Sequence, residues 1–310
     1  MNAPSKKEML LPQTVAFRLD GVDLQAIEGE TILKAAHRHG VDIPHLCYKD
    51  GMRPDGNCRA CVVEIEGERT LAPSCCRTVT AGMEVLAKSE RAVKSQKMVL
   101  EMLLADMPDK GYKWNDANQA LDKQASQPVG QHGQLSDWAE RLAVQVRPEL
   151  NALRREQPNA DKSHPAMLVN LDACIQCNRC VRACREEQVN DVIGYAHRGS
   201  HSAIVFDLQD PMGISTCVAC GECVQACPTG ALMPKTQVGS QAVDKKVDSV
   251  CPFCGVGCLL TYNIKENQII SVDGRDGPAN RNRLCVKGRF GFDYIHHPQR
   301  LTVPLIRKPG

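Results

Sequence analysis

Apolar and polar residues alternate through TVAFRL and VDLQAI on either side of Asp20-Gly21, and this pattern over residues 14 to 27 predicts two strands joined by a tight turn. The ILKAAHRHG that follows reads as a short helix closed by Gly40. Alternation returns in CVVEIEGERTLAPSC, about Glu66-Gly67, as a second hairpin, and Met83 to Ala87 offers a further strand. Together these segments describe a compact, mostly β module.

The period then lengthens. From Ser89, an N-cap residue type, Val99, Met102 and Leu103 recur at helical spacing until Pro108 ends the pattern. Residues 109 to 165 are rich in Gln, Asp, Asn and Lys, with one amphipathic stretch, DWAERLAVQV, cut by Pro148; the segment reads as a helical connector. Between 166 and 235 two similar stretches, CIQCNRCVRAC and CVACGECVQACP, imply a pseudo-symmetric pair of half-modules. Further on, LLTYNIK and QIISVDGR pair as strands about Glu266-Asn267. The expected fold class is α+β in several modules, divided at 1–88, 89–165, 166–244 and 245–310.

Composition changes this picture in one respect. Aromatic residues are only 4% of 310, so modules this small are short of core and need another stabiliser, which bound metal can supply. Met1 to Gln13 has no apolar leader segment, and no later run is long enough to span a bilayer, which predicts a cytoplasmic chain without a membrane. In a reducing compartment, 17 grouped cysteines read as metal ligands rather than disulfides. A net charge of +2 with no basic-aromatic pattern gives no reason to expect nucleic acid.

Every cysteine except Cys76 falls into a quartet. Cys174, Cys177, Cys180 and Cys184, then Cys217, Cys220, Cys223 and Cys227, each follow C-x2-C-x2-C-x3-C, and Pro228 follows the second set while Arg185 follows the first. This resembles the bacterial two-cluster ferredoxin run, whose fourth cysteine ligates the other cluster. The resemblance implies one 4Fe-4S cluster on Cys174, Cys177, Cys180 and Cys227, and another on Cys217, Cys220, Cys223 and Cys184. Cys47, Cys58, Cys61 and Cys75, within PHLCYKDGMRPDGNCRACVVEIEG and LAPSC, are spaced C-x10-C-x2-C-x13-C. That wording resembles the N-terminal 2Fe-2S domain of the large peripheral subunit of complex I and of its hydrogenase and formate dehydrogenase relatives, which implies a β-grasp 2Fe-2S ferredoxin-like domain. Cys76 is left to exchange with Cys75 or to serve as a small buried side chain. Zinc is the competing occupant for each quartet.

The last quartet, Cys251, Cys254, Cys258 and Cys285, lies in CPFCGVGCLL and NRLCVKGRFGFDY. Its spacing would suit a zinc ribbon, but its wording resembles the opening of formate dehydrogenase catalytic subunits, which implies a third 4Fe-4S cluster beside a Mo- or W-bis-pterin guanine dinucleotide. Lys287 matches the family's lysine between cluster and pterin, which implies a cofactor-binding role. Taken in order, the modules resemble the N-terminal portion of the α subunit of cytoplasmic NAD-dependent formate dehydrogenases, with flavin- and NAD-binding partner subunits. Residues 77 to 173 hold no cysteine, so the family's histidine-ligated extra cluster cannot form; His132 and His164 are expected to be solvated, and the 2Fe-2S site to reach the ferredoxin pair directly. The family's formate-handling residues lie beyond residue 310, so no catalytic residue is expected here, His296 and His297 included. The rivals are a complex I large subunit, an NAD-linked iron hydrogenase fragment and a zinc-stabilised binding module.

Overall fold

The computed structural model describes residues 13–107, 133–153, 159–238 and 243–308. They form two compact units. One comprises the described parts of Met1–Tyr48, Arg53–Leu104 and Asp137–Pro148, the other those of Lys49–Met52, Ala105–Ser136 and Glu149–Gly310.

In the first unit β1 (Thr14–Leu19) and β2 (Val22–Ile27) pair antiparallel from Thr14↔Ile27 to Leu19↔Val22. Asp20 and Gly21 both take positive φ, 49° and 82°, as a two-residue hairpin turn requires. β1 also runs parallel to β5 (Glu84–Leu86), which pairs antiparallel with β3 (Val62–Ile65), and β3 with β4 (Ala72–Pro73). The mixed sheet has the order β2-β1-β5-β3-β4. Helix α1 (Ile32–Arg38) completes the core: Thr31 caps it by accepting from the Lys34 amide, and Ile32, Leu33, Ala35 and Ala36 are fully buried. Burial of Ile32 and Leu33 stabilises the unit by about 1.5–3 kcal/mol each.

Helix α2 (Glu90–Ala105) starts at Ser89, whose Oγ accepts from Ala92 N at 3.1 Å. Its Gln96 is buried and donates to the carbonyls of Val62 (2.9 Å) and Ala87 (3.4 Å), which fastens helix to sheet. Part of the expected connector lies outside the described residues; the rest holds helix α3 (Gln134–Arg141) and a 3-10 turn, Pro148–Leu153. The helix ends well before Pro148 because Ala143 turns left-handed (φ 49°) and Val144 N bonds back to Ala139 O. Arg147 then grips Glu101 of α2 through its backbone N (3.0 Å), Nε (2.7 Å) and Nη2 (3.2 Å).

The second unit holds two short antiparallel ribbons, β6 (Met167–Val169) with β9 (Leu232–Pro234) and β7 (Ile193–Ala196) with β8 (Ala203–Phe206). Helices α4 (Arg179–Arg182) and α5 (Glu222–Ala226) pack against each other between them. Met52 packs with Ala183 and Ala226. A three-stranded sheet follows, β10 (Lys245–Val250), β11 (Leu259–Lys265) and β12 (Gln268–Gly274), the last two turning at Glu266 and Asn267 at φ 48° and 62°. β10 was not anticipated: four of the six residues of KKVDSV are exposed and none is buried, so its pattern carries no core signal. α6 (Val286–Phe290) closes the unit.

Two expectations are corrected. His164 is buried rather than solvated; its Nδ1 accepts from the amides of Ala166 (3.1 Å) and Met167 (3.2 Å), which secures the entry to β6. Cys76 is exposed rather than buried, because β4 and the loop after it turn Cys75 inward and its neighbour out. His132 lies outside the described residues.

Candidate metal centres

The first quartet is assembled from three segments of the β unit. Ser74 N donates to Cys61 O (3.0 Å), and the uncapped amides of Ile32 and Leu33 at the start of α1 donate to Arg77 O (2.9 Å) and Ser74 O (3.0 Å). The helix start thereby pins the strand end that carries Cys75 against the loop that carries Cys61. Arg59 sits at φ 61°, which curls the loop so that Ala60 N points at Cys58 Sγ (3.5 Å). Cys47 and Cys58 exchange amide-to-sulfur contacts at 3.4 and 3.5 Å. The thiols also share hydrogen bonds: Cys58, then Cys75, holds the Cys47 thiol well below the usual range, and Cys75 lowers Cys61, while Cys58 and Cys75 are driven up. Metal binding displaces such shared protons. Cys76 Sγ lies 3.6 Å from Cys75 Sγ, on the outside of the group.

The two ferredoxin-type loops repeat one backbone conformation. In each, the residue before the second cysteine (Gln176, Ala219) and the residue after it (Asn178, Gly221) take positive φ, between 54° and 74°. This winds the chain so that Gln176 N and Ala219 N each lie 3.4 Å from the first cysteine's sulfur. The helices that follow carry the fourth cysteines across. Cys177 is pushed up to about 12 by burial and then by Cys227, and Cys180 well up by burial and then by Cys174, Cys177, Cys227 and, last, Cys223. Cys223 feels burial, then Cys220, Cys217 and Cys184. Cys227 thus stands with the first three cysteines and Cys184 with the second three. Cys174, Cys177, Cys180 and Cys227 line a small cavity of about 20 Å³.

The loops leave their helices differently. Pro228 forces Cys227 into extended backbone (φ −69°, ψ 121°), which ends α5. Arg185 imposes no such stop, and α4 runs on through Cys184 as a π-turn, Ala183–Glu187, where Arg185 pairs with Asp191 at 2.6 Å.

The last quartet occupies the loop between β10 and β11 and the cap of α6. Cys251 N donates to Cys258 O (2.8 Å), Gly255 and Gly257 take φ 73° and 81°, and Cys285 is the N-cap of α6. Burial, then Cys251, Cys254 and Cys285, raises Cys258. Cys254 and Cys285 are exposed, as is Lys287. Asn280 was not singled out in the sequence, yet it ties the return segment to β11: its Nδ2 donates to the carbonyls of Leu259, Arg275 and Arg283 (2.9–3.1 Å), and its Oδ1 accepts from Leu259 N. No spacing rule would have found it.

These donor sets fit iron-sulfur clusters. All four are thiols only, amides aim at sulfurs in the first three, and a small cavity lies among Cys174, Cys177, Cys180 and Cys227, which suits centres held by thiolates.

Comparison with known proteins agrees with the domain chemistry. Residues 12–90 match the 2Fe-2S iron-sulfur cluster binding domain, 173–231 the 4Fe-4S dicluster domain, and 244–297 the molybdopterin oxidoreductase Fe4S4 domain. The chain is 33% identical to an NADH-quinone oxidoreductase subunit of Rhizobium meliloti, over 96% of this chain and 33% of the relative. It is 28% identical to "Putative formate dehydrogenase YrhE" of Bacillus subtilis (97% and 34%), and 31% identical to the "NADPH-Fe(3+) oxidoreductase subunit alpha" of Geobacter sulfurreducens (94% and 33%). The chain spans about a third of the length of these curated relatives. Among solved structures, a chain of an NAD+-reducing NiFe hydrogenase in the H2-reduced state superposes with TM-score 0.61 at 27% identity, over 74% of this chain and 92% of that one. The chain is an iron-sulfur electron-transfer module whose relatives are oxidoreductase subunits. Among the described residues no helix is long and apolar enough to cross a membrane.

Proposed function

We propose that the chain is the electron-transfer portion of a formate dehydrogenase α subunit, passing electrons from a Mo- or W-bis-pterin site toward a flavin- and NAD-binding partner in the cytoplasm. One 2Fe-2S and three 4Fe-4S clusters supply reversible one-electron exchange when bound. The chain's part is to hold sixteen thiolates and, in three of the four quartets, to direct amides at their sulfurs. Its modules are a β-grasp 2Fe-2S domain (1–88), a helical connector (89–165), a two-cluster ferredoxin (166–244) and a 4Fe-4S module that begins a molybdopterin domain (245–310). The ligand sets are Cys47, Cys58, Cys61 and Cys75; Cys174, Cys177, Cys180 and Cys227; Cys217, Cys220, Cys223 and Cys184; and Cys251, Cys254, Cys258 and Cys285. Lys287 would contribute to holding the pterin. With no cysteine between 77 and 173, electrons cross directly between the 2Fe-2S site and the ferredoxin pair.

What supports this reading is that Cys227 lines one cavity with Cys174, Cys177 and Cys180 and that the two loops repeat one backbone conformation, an arrangement suited to a pair of cubes with crossed fourth ligands. Anaerobically purified protein is expected to be brown, with about 14 irons per chain and reducible EPR signals. Stoichiometric zinc with little iron or sulfide overturns the proposal. The likeness to nearly a whole chain of an NAD+-reducing hydrogenase favours a second reading, a relay subunit of a hydrogen-linked complex. Reduction of the clusters by formate or by hydrogen, in the complete complex, separates the two.

A further inference from the structure

Helix α6 is only five residues long, yet it buries a cation. Arg289 is 2% exposed. Its Nε–H donates to the Cys220 carbonyl (2.9 Å), its Nη1–H to the Val272 carbonyl (3.2 Å), and its Nη2–H to the Glu222 carboxylate. The Glu222 side chain, 3% exposed, also accepts from Leu284 N at 3.0 Å. Glu222 stands between Cys220 and Cys223, and Arg289 N donates to the carbonyl of Cys285, the N-cap of the same helix, at 3.1 Å. A single residue is therefore bonded through its backbone to a cysteine of the last quartet and through its side chain to a cysteine of the second ferredoxin loop. Gln225 adds to the clamp: its Nε2 donates to the carbonyls of Gly274 and Asn282, and its Oε1 accepts from Gly274 N.

A buried ion pair is a poor source of stability, because desolvation offsets most of its attraction. What a buried charge does alter is the field at its neighbours, where water cannot screen it. An added electron makes a thiolate-held cluster more negative, so a fixed cation beside it stabilises the reduced state.

We propose that Arg289 is the positioning residue for electron passage between the Cys251, Cys254, Cys258, Cys285 site and the Cys217, Cys220, Cys223, Cys184 site. Its hydrogen bonds fix the two ligand loops against one another, and its charge raises the reduction potential of the nearer ferredoxin cluster, which biases electrons to enter it. This inference rests on the cluster reading above.

The test uses the full 310-residue chain with its clusters, in Arg289→Lys and Arg289→Met forms, with iron and sulfide content and EPR-monitored redox titrations at pH 7. The Met variant is expected to retain its iron while one 4Fe-4S midpoint shifts downward; the Lys variant, which keeps the charge, returns that midpoint most of the way to wild type. Identical midpoints in all three proteins, an equal downward shift in both variants, or loss of about four irons from both would each overturn the proposal, the last by reducing Arg289 to a structural prop. Failure of the underlying reading looks different: the wild-type chain itself would then lack iron and sulfide.

Discussion

Replacing Gly221 by alanine measures how firmly the buried cation is seated. Gly221 takes φ +74°, where an L side chain adds about 1–2 kcal/mol of strain. The new Cβ would also lie 2.0 Å from Arg289 Cδ, 2.7 Å from its Nε and 2.9 Å from Phe290 Cζ, so the guanidinium cannot stay where it is. Displacing it leaves Glu222 buried without its partner, and breaking a buried pair in this way costs about 3–5 kcal/mol. The sum is roughly 4–7 kcal/mol, and for a unit of this size each kcal/mol lowers the melting temperature by roughly 2–4 °C. Gly199→Ala is the control: the same unit, φ +62°, and nothing within 4 Å of the added Cβ, so it carries the backbone strain alone. Thermal melts of the loaded protein, followed by circular dichroism and cluster absorbance, should show Gly221→Ala melting roughly 8 °C or more below wild type and Gly199→Ala only a few degrees below. If the two variants melt within about 2 °C of each other, the steric argument, and with it the tight seating of Arg289, is wrong.

Three further outcomes are expected. Cys227→Ser and Cys174→Ser should abolish the same 4Fe-4S EPR signal and Cys223→Ser a different one, each removing about four of the 14 irons; loss of one common signal in Cys227→Ser and Cys223→Ser would refute the crossing. Gln96→Ala leaves the buried carbonyls of Val62 and Ala87 without that donor and should destabilise the β unit by about 1–3 kcal/mol, read as a lower denaturation midpoint at unchanged slope. Burial holds His164 below its ordinary pKa, so the unfolded chain takes up its proton first: this contribution to stability is complete above about pH 6.5 and is lost as pH falls through the lowered folded value. Melting temperatures from pH 7.5 to 5 should therefore fall less in His164→Asn, whose amide oxygen can still accept from Ala166 and Met167, and parallel pH profiles would contradict the assignment.

Much of this protein was written locally. The turn at Asp20-Gly21, the cap at Ser89, the β11–β12 turn and the cysteine spacings all depend on residues a few positions apart, whose φ preferences and side-chain reach act before any tertiary contact forms. The two-residue gaps within the quartets belong to this class, whereas Cys47, Cys75, Cys184, Cys227 and Cys285 reach their groups only through the fold. Other features depend on partners far along the chain and leave no periodic trace. β10 exists because β11 offers it a hydrogen-bonded edge, and its own sequence is polar. His164 is buried because β6 folds over it, and Cys76 faces outward because its neighbour is drawn in. Glu222 lies 67 residues before Arg289, and Asn280 lies 21 beyond Leu259. The sequence by itself thus determined where the cysteines are grouped and the local turns that present them. Only the tertiary structure decided which charges lie unscreened beside those sites, because burial and long-range pairing belong to the packed chain and to no short stretch of it.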